Sequence, residues 1–156
     1  MNVLHPPFVH FVIALPLAAL FAQLTYLGTG NITYSKAAIR IMAFALLTSF
    51  FAVFSGIIDA QEVIRSHAIL ESGLSVLNSH KIFGFIVVAI LLITTIVKWF
   101  AIAKSSLSLE KFSVALIILT IATSLYQGKQ GGSLVYEHAA GVSKQAIEGR
   151  SMQKNK

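Results

Sequence analysis

At 156 residues, with 56% hydrophobic and 12% charged side chains and a mean hydropathy of +0.78, the chain is one domain in size and too apolar for an ordinary soluble one; it reads as an integral membrane protein. The net charge of +6 lies in short loops beside apolar segments and in the tail Lys144–Lys156, without a basic–aromatic patch, which signals topology and anionic lipid and argues against nucleic acid. The absence of cysteine excludes disulfides, thiolate nucleophiles, the usual iron–sulfur clusters and covalent c-type haem.

Four apolar stretches follow in chain order. The first, Phe8–Leu27, carries no charge and is long enough to cross the hydrocarbon. Pro6 and Pro7 suit its first turn, and Pro16 predicts a kink that neighbouring helices tolerate. No Lys or Arg precedes it and no Ala-x-Ala pattern is evident, so it reads as a retained helix and not a cleaved signal. The second stretch runs from about Ala37 to Asp59. The third runs from about His80 to Ala103, with Ser79 as its expected N-cap and Lys98 close enough to the end to snorkel. The fourth begins near Leu109 and runs to Tyr126, after which Gly128, Gly131 and Gly132 are expected to break it.

The connection Ala60–Ser79 is itself patterned. Val63, His67, Leu70, Leu74 and Leu77 recur at helical spacing opposite Glu62, Arg65 and Glu71, which reads as an interfacial helix or as extensions of its two neighbours, with His67 toward the apolar side. The expected fold is all-α: an antiparallel up-and-down four-helix membrane bundle over residues 1–142, followed by a basic, flexible tail over 143–156. Two short connections, Gly28–Lys36 and Lys104–Ser108, define one loop face. The N-terminus, the Ala60–Ser79 connection and the C-terminal region share the other.

All five histidines, His5, His10, His67, His80 and His138, fall at that second face. Imidazole is costly in hydrocarbon without a partner, so the clustering suggests a ligand, a proton or an electron. Haem b is the favoured ligand, because a bundle can supply axial imidazoles to both faces of a macrocycle from facing helices. His10 and His80 are the expected axial pair, with His138 and then His5 as further candidates. Phe8, Phe11, Phe83 and Phe85 are expected to wall the macrocycle, and Arg65, Lys81 and Lys129 to meet its propionates. Asp59 and Tyr136 are supporting candidates, Asp59 as a partner that orients an imidazole.

Two other readings stay open. One is a zinc, copper or non-haem iron site built from His5, His10, His80 and His138 with Asp59 or Glu137, although no HExxH or similarly tight spacing occurs. The other is a non-enzymatic structural or assembly subunit whose histidines make interfacial hydrogen bonds or meet a partner. An electron carrier or subunit is expected before a stand-alone enzyme. The expected partners are the lipid bilayer, a redox protein such as a cytochrome, and further subunits of a homo- or hetero-oligomer. Lys36, Arg40, Lys98, Lys104 and Lys111 bias the loop face toward the cytoplasm, placing both termini and the histidines on the outer side of the membrane.

His5-Pro6-Pro7-Phe8-Val9-His10-Phe11, the Gly56-Ile57-Ile58-Asp59 end of the second helix, His80, and Gly131-Gly132-Ser133-Leu134-Val135-Tyr136-Glu137-His138 together resemble one family. It is the bacterial membrane family catalogued as domain of unknown function 2231, and the resemblance spans about Leu4 to Val142. It implies a small four-helix membrane protein in a redox setting, since some members are joined to cytochrome-like domains. It singles out His5, His10, His80 and His138 without supplying an activity. The chain departs from the family pattern at Val12, where proline is common, at Gln23, where an acidic residue is frequent, and at Ala139, where glycine is usual.

Overall fold

A computed structural model describes residues 5–142. It contains four helices: α1 (His5–Thr29), α2 (Ile32–Arg65), α3 (Glu71–Ala103) and α4 (Leu107–Tyr136). Each is long and apolar enough to cross a membrane, and the all-α antiparallel bundle is as expected. The expected tail, 143–156, lies outside the described residues.

The turns at the loop face are tight because the sequence caps the next helix at once. Asn31 Oδ1 accepts the Thr33 N–H at 3.0 Å, and Ser106 Oγ accepts the Leu109 N–H at 3.4 Å. Gly30 (φ 71°) and Ser105 (φ 47°) precede these caps in the left-handed region. The four helices stand in a ring in which α1 touches α2 and α4, and α3 touches α2 and α4. The pairs α1/α3 and α2/α4 are diagonals whose backbones do not come into contact.

Small side chains let the helices approach: Ala19, Ala38 and Ala45 are fully buried, with Met42, Leu91 and Ile117 filling the space between. Large apolar groups such as Phe21, Phe54 and Ile93 point outward, as a lipid-facing surface requires.

Two sequence expectations need correction, and of the two readings open for the Ala60–Ser79 connection the structure has the helix extensions. α3 begins at Glu71 with Leu70 as a cap that makes no side-chain bond, so Ser79 is an interior residue and not an N-cap. The Ala60–Ser79 connection is mostly helix, as extensions of α2 and α3 about the short corner 66–70. α4 runs through Gly128, Gly131 and Gly132 without a break, because packing holds the helix where glycine alone would weaken it.

At about 1.5 Å per residue, α2, α3 and α4 outrun a hydrocarbon layer of about 30 Å. Counting about 20 residues from the exposed Lys36 and Lys111 at the loop face reaches Gly56 and Gly131. The histidine end therefore straddles the membrane boundary. A short strap after α4 closes it: the Leu70 N–H donates to the His138 carbonyl at 3.1 Å, and the Gly141 N–H to the Ala68 carbonyl at 2.9 Å.

Candidate functional site

A cavity of about 190 Å³ occupies the histidine end and takes walls from all four helices. His5 from α1 and His80 from α3 both line it, together with Asp59, Ser124, Gln127 and the exposed Lys81 at its rim. Its other walls are chiefly apolar, among them Val12, Val87 and Phe85. Because α1 and α3 are diagonal, the two imidazoles approach from opposite sides of the bundle.

Each imidazole has a glycine beside it. A Cβ at Gly56 would lie 2.8 Å from His5 Cε1, and a Cβ at Gly131 would lie 3.4 Å from His80 Cε1. The first is a direct clash and the second ordinary contact, so Gly56 is the stricter requirement. His5 Nδ1–H donates to the Ala52 carbonyl at 2.9 Å and lies 3.2 Å from Ser55 Oγ. That hydrogen bond fixes the tautomer and leaves the Nε2 lone pair for something else, the arrangement found behind metal-bound imidazoles.

His80 is held differently. The Gln127 amide donates to the His80 carbonyl at 2.9 Å, and the same nitrogen lies 3.2 Å from His80 Nε2. With the amide oriented by the carbonyl, its second N–H faces Nε2, so Nε2 accepts and Nδ1 carries the proton. Among the described residues that buried Nδ1 has no hydrogen-bond partner, and neither do Ser124 Oγ or Gln127 Oε1 on the same cavity. Buried polar atoms without partners are costly, which marks this wall as built to meet something polar.

The other expected residues lie elsewhere. His10 is exposed, with Nδ1–H donating to the Pro6 carbonyl at 2.6 Å, and it is not among the cavity's walls. His138 is half-buried in the strap, its Nδ1 3.2 Å from Ser72 Oγ, and its Cβ packs where Gly73 leaves room. His67 is exposed at the corner and not turned toward the apolar side. Arg65 and Tyr136 are exposed, whereas Asp59 is buried in the cavity wall. Of the four expected phenylalanines only Phe85 reaches the cavity; Phe8 stacks on Phe51, Phe11 meets Phe44 edge-on, and Phe83 meets Tyr126. Among the described residues no three metal-ligating side chains gather into one group.

A second buried cluster lies near the loop face, and sequence reasoning missed it. Lys98 does not snorkel. It is fully buried and paired with Glu110, while Nζ also donates to Ser35 Oγ at 2.6 Å and sits 5.6 Å from the Tyr26 ring centre. Glu110 accepts Ser35 Oγ–H at 2.7 Å on one oxygen and the Gln23 amide at 2.7 Å on the other. Every helix contributes one member: Gln23, Ser35, Lys98 and Glu110. A signal was available, because Lys98 and Glu110 lie equally far from the turn at Lys104 and so reach the same depth in an antiparallel hairpin.

The family described as "Predicted membrane protein (DUF2231)" matches residues 2–144 of the chain. No curated protein and no solved structure matches it.

Proposed function

The chain belongs to the family of predicted membrane proteins catalogued as domain of unknown function 2231, and because that description leaves the activity open, we propose that this multi-pass membrane protein is an electron carrier holding one haem b between His5 and His80. The observation that carries the proposal is the pair of imidazoles lining one apolar cavity from diagonally opposed helices. This replaces His10 with His5 as the partner of His80, since His10 faces outward.

The donor chemistry fits. His5 offers an Nε2 with no hydrogen bond among the described residues, behind an Nδ1–H bond to the Ala52 carbonyl. His80 offers the same atom once its contact with the Gln127 amide is released. The size fits when the neighbouring groove is counted. That groove, about 270 Å³ between α2 and α3, shares Ile57, Ala60, Lys81 and Phe85 with the cavity. Cofactor clefts span roughly 300–1,000 Å³, so cavity and groove together suffice where the cavity alone does not. Lys81 at the rim is the cation for a propionate.

Bound haem would supply one-electron chemistry. The chain's own part is to hold two imidazoles in fixed tautomers, exclude water with apolar walls, and keep a cation at the open side. The exposed Lys36, Arg40, Lys104 and Lys111 at the loop face support a cytoplasmic loop face and a periplasmic histidine end in a bacterial inner membrane, where a partner such as a cytochrome would exchange the electron.

The test is the absorption spectrum of full-length protein purified from a haem-sufficient host. A Soret band is expected, lost in His5→Ala and in His80→Ala and retained in His10→Ala. Absence of the band from the wild-type protein, or its survival in both of the first two variants, refutes the proposal.

A further inference from the structure

The two halves of the chain share one register without a gap: adding 75 to a residue number in α1 or α2 gives its counterpart in α3 or α4. α2 begins at Ile32 and α4 at Leu107, behind the side-chain caps Asn31 and Ser106. The left-handed residues before those caps, Gly30 and Ser105, correspond as well. Buried positions repeat in the same way. Val12, Pro16 and Ala19 of α1 match Val87, Leu91 and Thr94 of α3, while Met42, Ala45 and Ser49 of α2 match Ile117, Thr120 and Ser124 of α4. The stacked rings Phe8 and Phe51, 5.3 Å apart, have their counterpart in the edge-on pair Phe83 and Tyr126, 4.9 Å apart. Gln23 and Ser35 correspond to Lys98 and Glu110 in the loop-end cluster. Gly56 beside His5 corresponds to Gly131 beside His80.

Core packing alone does not produce this. Apolar stripes recur every 3.6 residues, so any two buried helices can be brought into phase. Packing does not impose one integer on both helices of each hairpin and on the turn between them, nor set a glycine against an imidazole at the same step in each. We infer that the chain is a repeat of one helical hairpin, α1–α2 and α3–α4, related by a pseudo-two-fold axis along the membrane normal, and that the histidine cavity is a single ligand site on that axis which His5 and His80 address as equivalent partners. α1 and α3 start at the same face, which gives parallel repeats and an axis of that direction. A ligand there must accept the same contact from two opposite sides. A planar metal chelate with one open position on each face does so, and this part of the inference rests on the haem reading above.

The side chains around the two imidazoles break the equivalence: Ser55 beside His5 corresponds to Gln130, Asp59 of the cavity wall to Leu134, and Ala52 to Gln127. Position 52 is alanine, whose carbonyl holds His5 by Nδ1, whereas its counterpart is Gln127, whose amide covers Nε2 of His80. Gln127 is thus a positioning residue that latches only one of the two imidazoles.

The exchange variant Ala52→Gln/Gln127→Ala, made in the full-length protein beside the two single variants, tests this. If the two imidazoles stand in equivalent places, the exchange moves the latch from His80 to His5. In ¹⁵N NMR of detergent-solubilised protein without ligand, the shift of an imidazole Nε2 that accepts a hydrogen bond should sit on His80 in the wild type and move to His5 in the exchange variant. Haem affinity should stay within about 3-fold of wild type in the exchange variant, rise about 3- to 10-fold in Gln127→Ala, and fall by a similar factor in Ala52→Gln. An acceptor shift that stays on His80 or leaves both imidazoles, or a fall of more than about 10 °C in the thermal midpoint of the exchange variant alone, overturns the inference. A migrating shift with no haem binding in any variant upholds the axis and refutes only the haem.

Discussion

Glu110→Gln should be the most damaging single change in the loop-end cluster. Lys98 is fully buried, and with an amide in place of the carboxylate its ammonium has only neutral partners, the amide oxygen, Ser35 Oγ and the face of Tyr26. Removing one member of a buried ion pair leaves an uncompensated charge, at a cost of about 3–5 kcal/mol. Lys98→Met should cost less, about 2 kcal/mol, because the remaining carboxylate keeps the Gln23 amide and the Ser35 hydroxyl, and hydrogen bonds to a charged group contribute about 1.5–3 kcal/mol each. Lys98→Met/Glu110→Gln removes both charges and should cost only about 1 kcal/mol, since a neutralised pair no longer needs its desolvated partner.

The assay is a double-mutant cycle on full-length protein in dodecyl maltoside, unfolded by titrated dodecyl sulfate and followed by helical circular dichroism. The coupling should exceed about 3 kcal/mol, well above the average of about 0.6 kcal/mol for neutral hydrogen bonds between membrane helices. Single costs that add to the double cost within about 0.5 kcal/mol would refute the argument, because they would mean that the two charges do not sense each other.

Gly56→Ala should displace His5, whose Cε1 would lie 2.8 Å from the new Cβ, and should weaken haem binding about 10-fold or more; Gly131→Ala, at 3.4 Å from His80, should change it less than about 3-fold. Haem titration of the two purified variants compares them, and equal losses would contradict the geometry. Gly73→Ala would set a Cβ 2.7 Å from that of His138 and 2.9 Å from Ile69, so it should cost about 1–3 kcal/mol and loosen the strap. Hydrogen exchange at the Leu70 and Gly141 amides should then accelerate, and unchanged protection would show that the strap is held by other contacts.

The membrane architecture was legible because four long apolar runs with few charges leave few other readings. Their ends were harder to read. Asp59 suggested the end of α2, yet the helix continues to Arg65, because beyond the hydrocarbon an ordinary amphipathic pattern with Glu62 and Arg65 exposed to water is enough. The glycines of α4 suggested a break by their propensity in water. In the bundle Gly128 and Gly131 are the residues that let α4 approach Ile13 and the His80 ring. Lys98 was misread because hydropathy does not distinguish an inward from an outward face, and the nearest polar surface seemed sufficient for a side chain that in fact finds its partner across the turn.

The histidines separate on the same point. Their shared end was legible from helix direction, but which ones turn inward depends on phase. His5 continues the inward stripe of α1 through Val9, Val12, Pro16, Ala19 and Gln23, at steps of three and four residues, whereas His10 falls between its members. His80 likewise continues Gly73 and Leu77 toward Val87, Leu91, Thr94 and Lys98 on α3. Each stripe holds a histidine toward one end of the bundle and ends in the polar cluster at the other, so the inward face of a membrane helix is marked as much by its rare polar residues as by its apolar ones. The chance that a histidine reaches a site in such a bundle is therefore set less by its distance from the membrane face than by whether its position, taken modulo the helical period, coincides with that of the buried lysine or glutamine eighteen residues further along: 5 with 23, and 80 with 98.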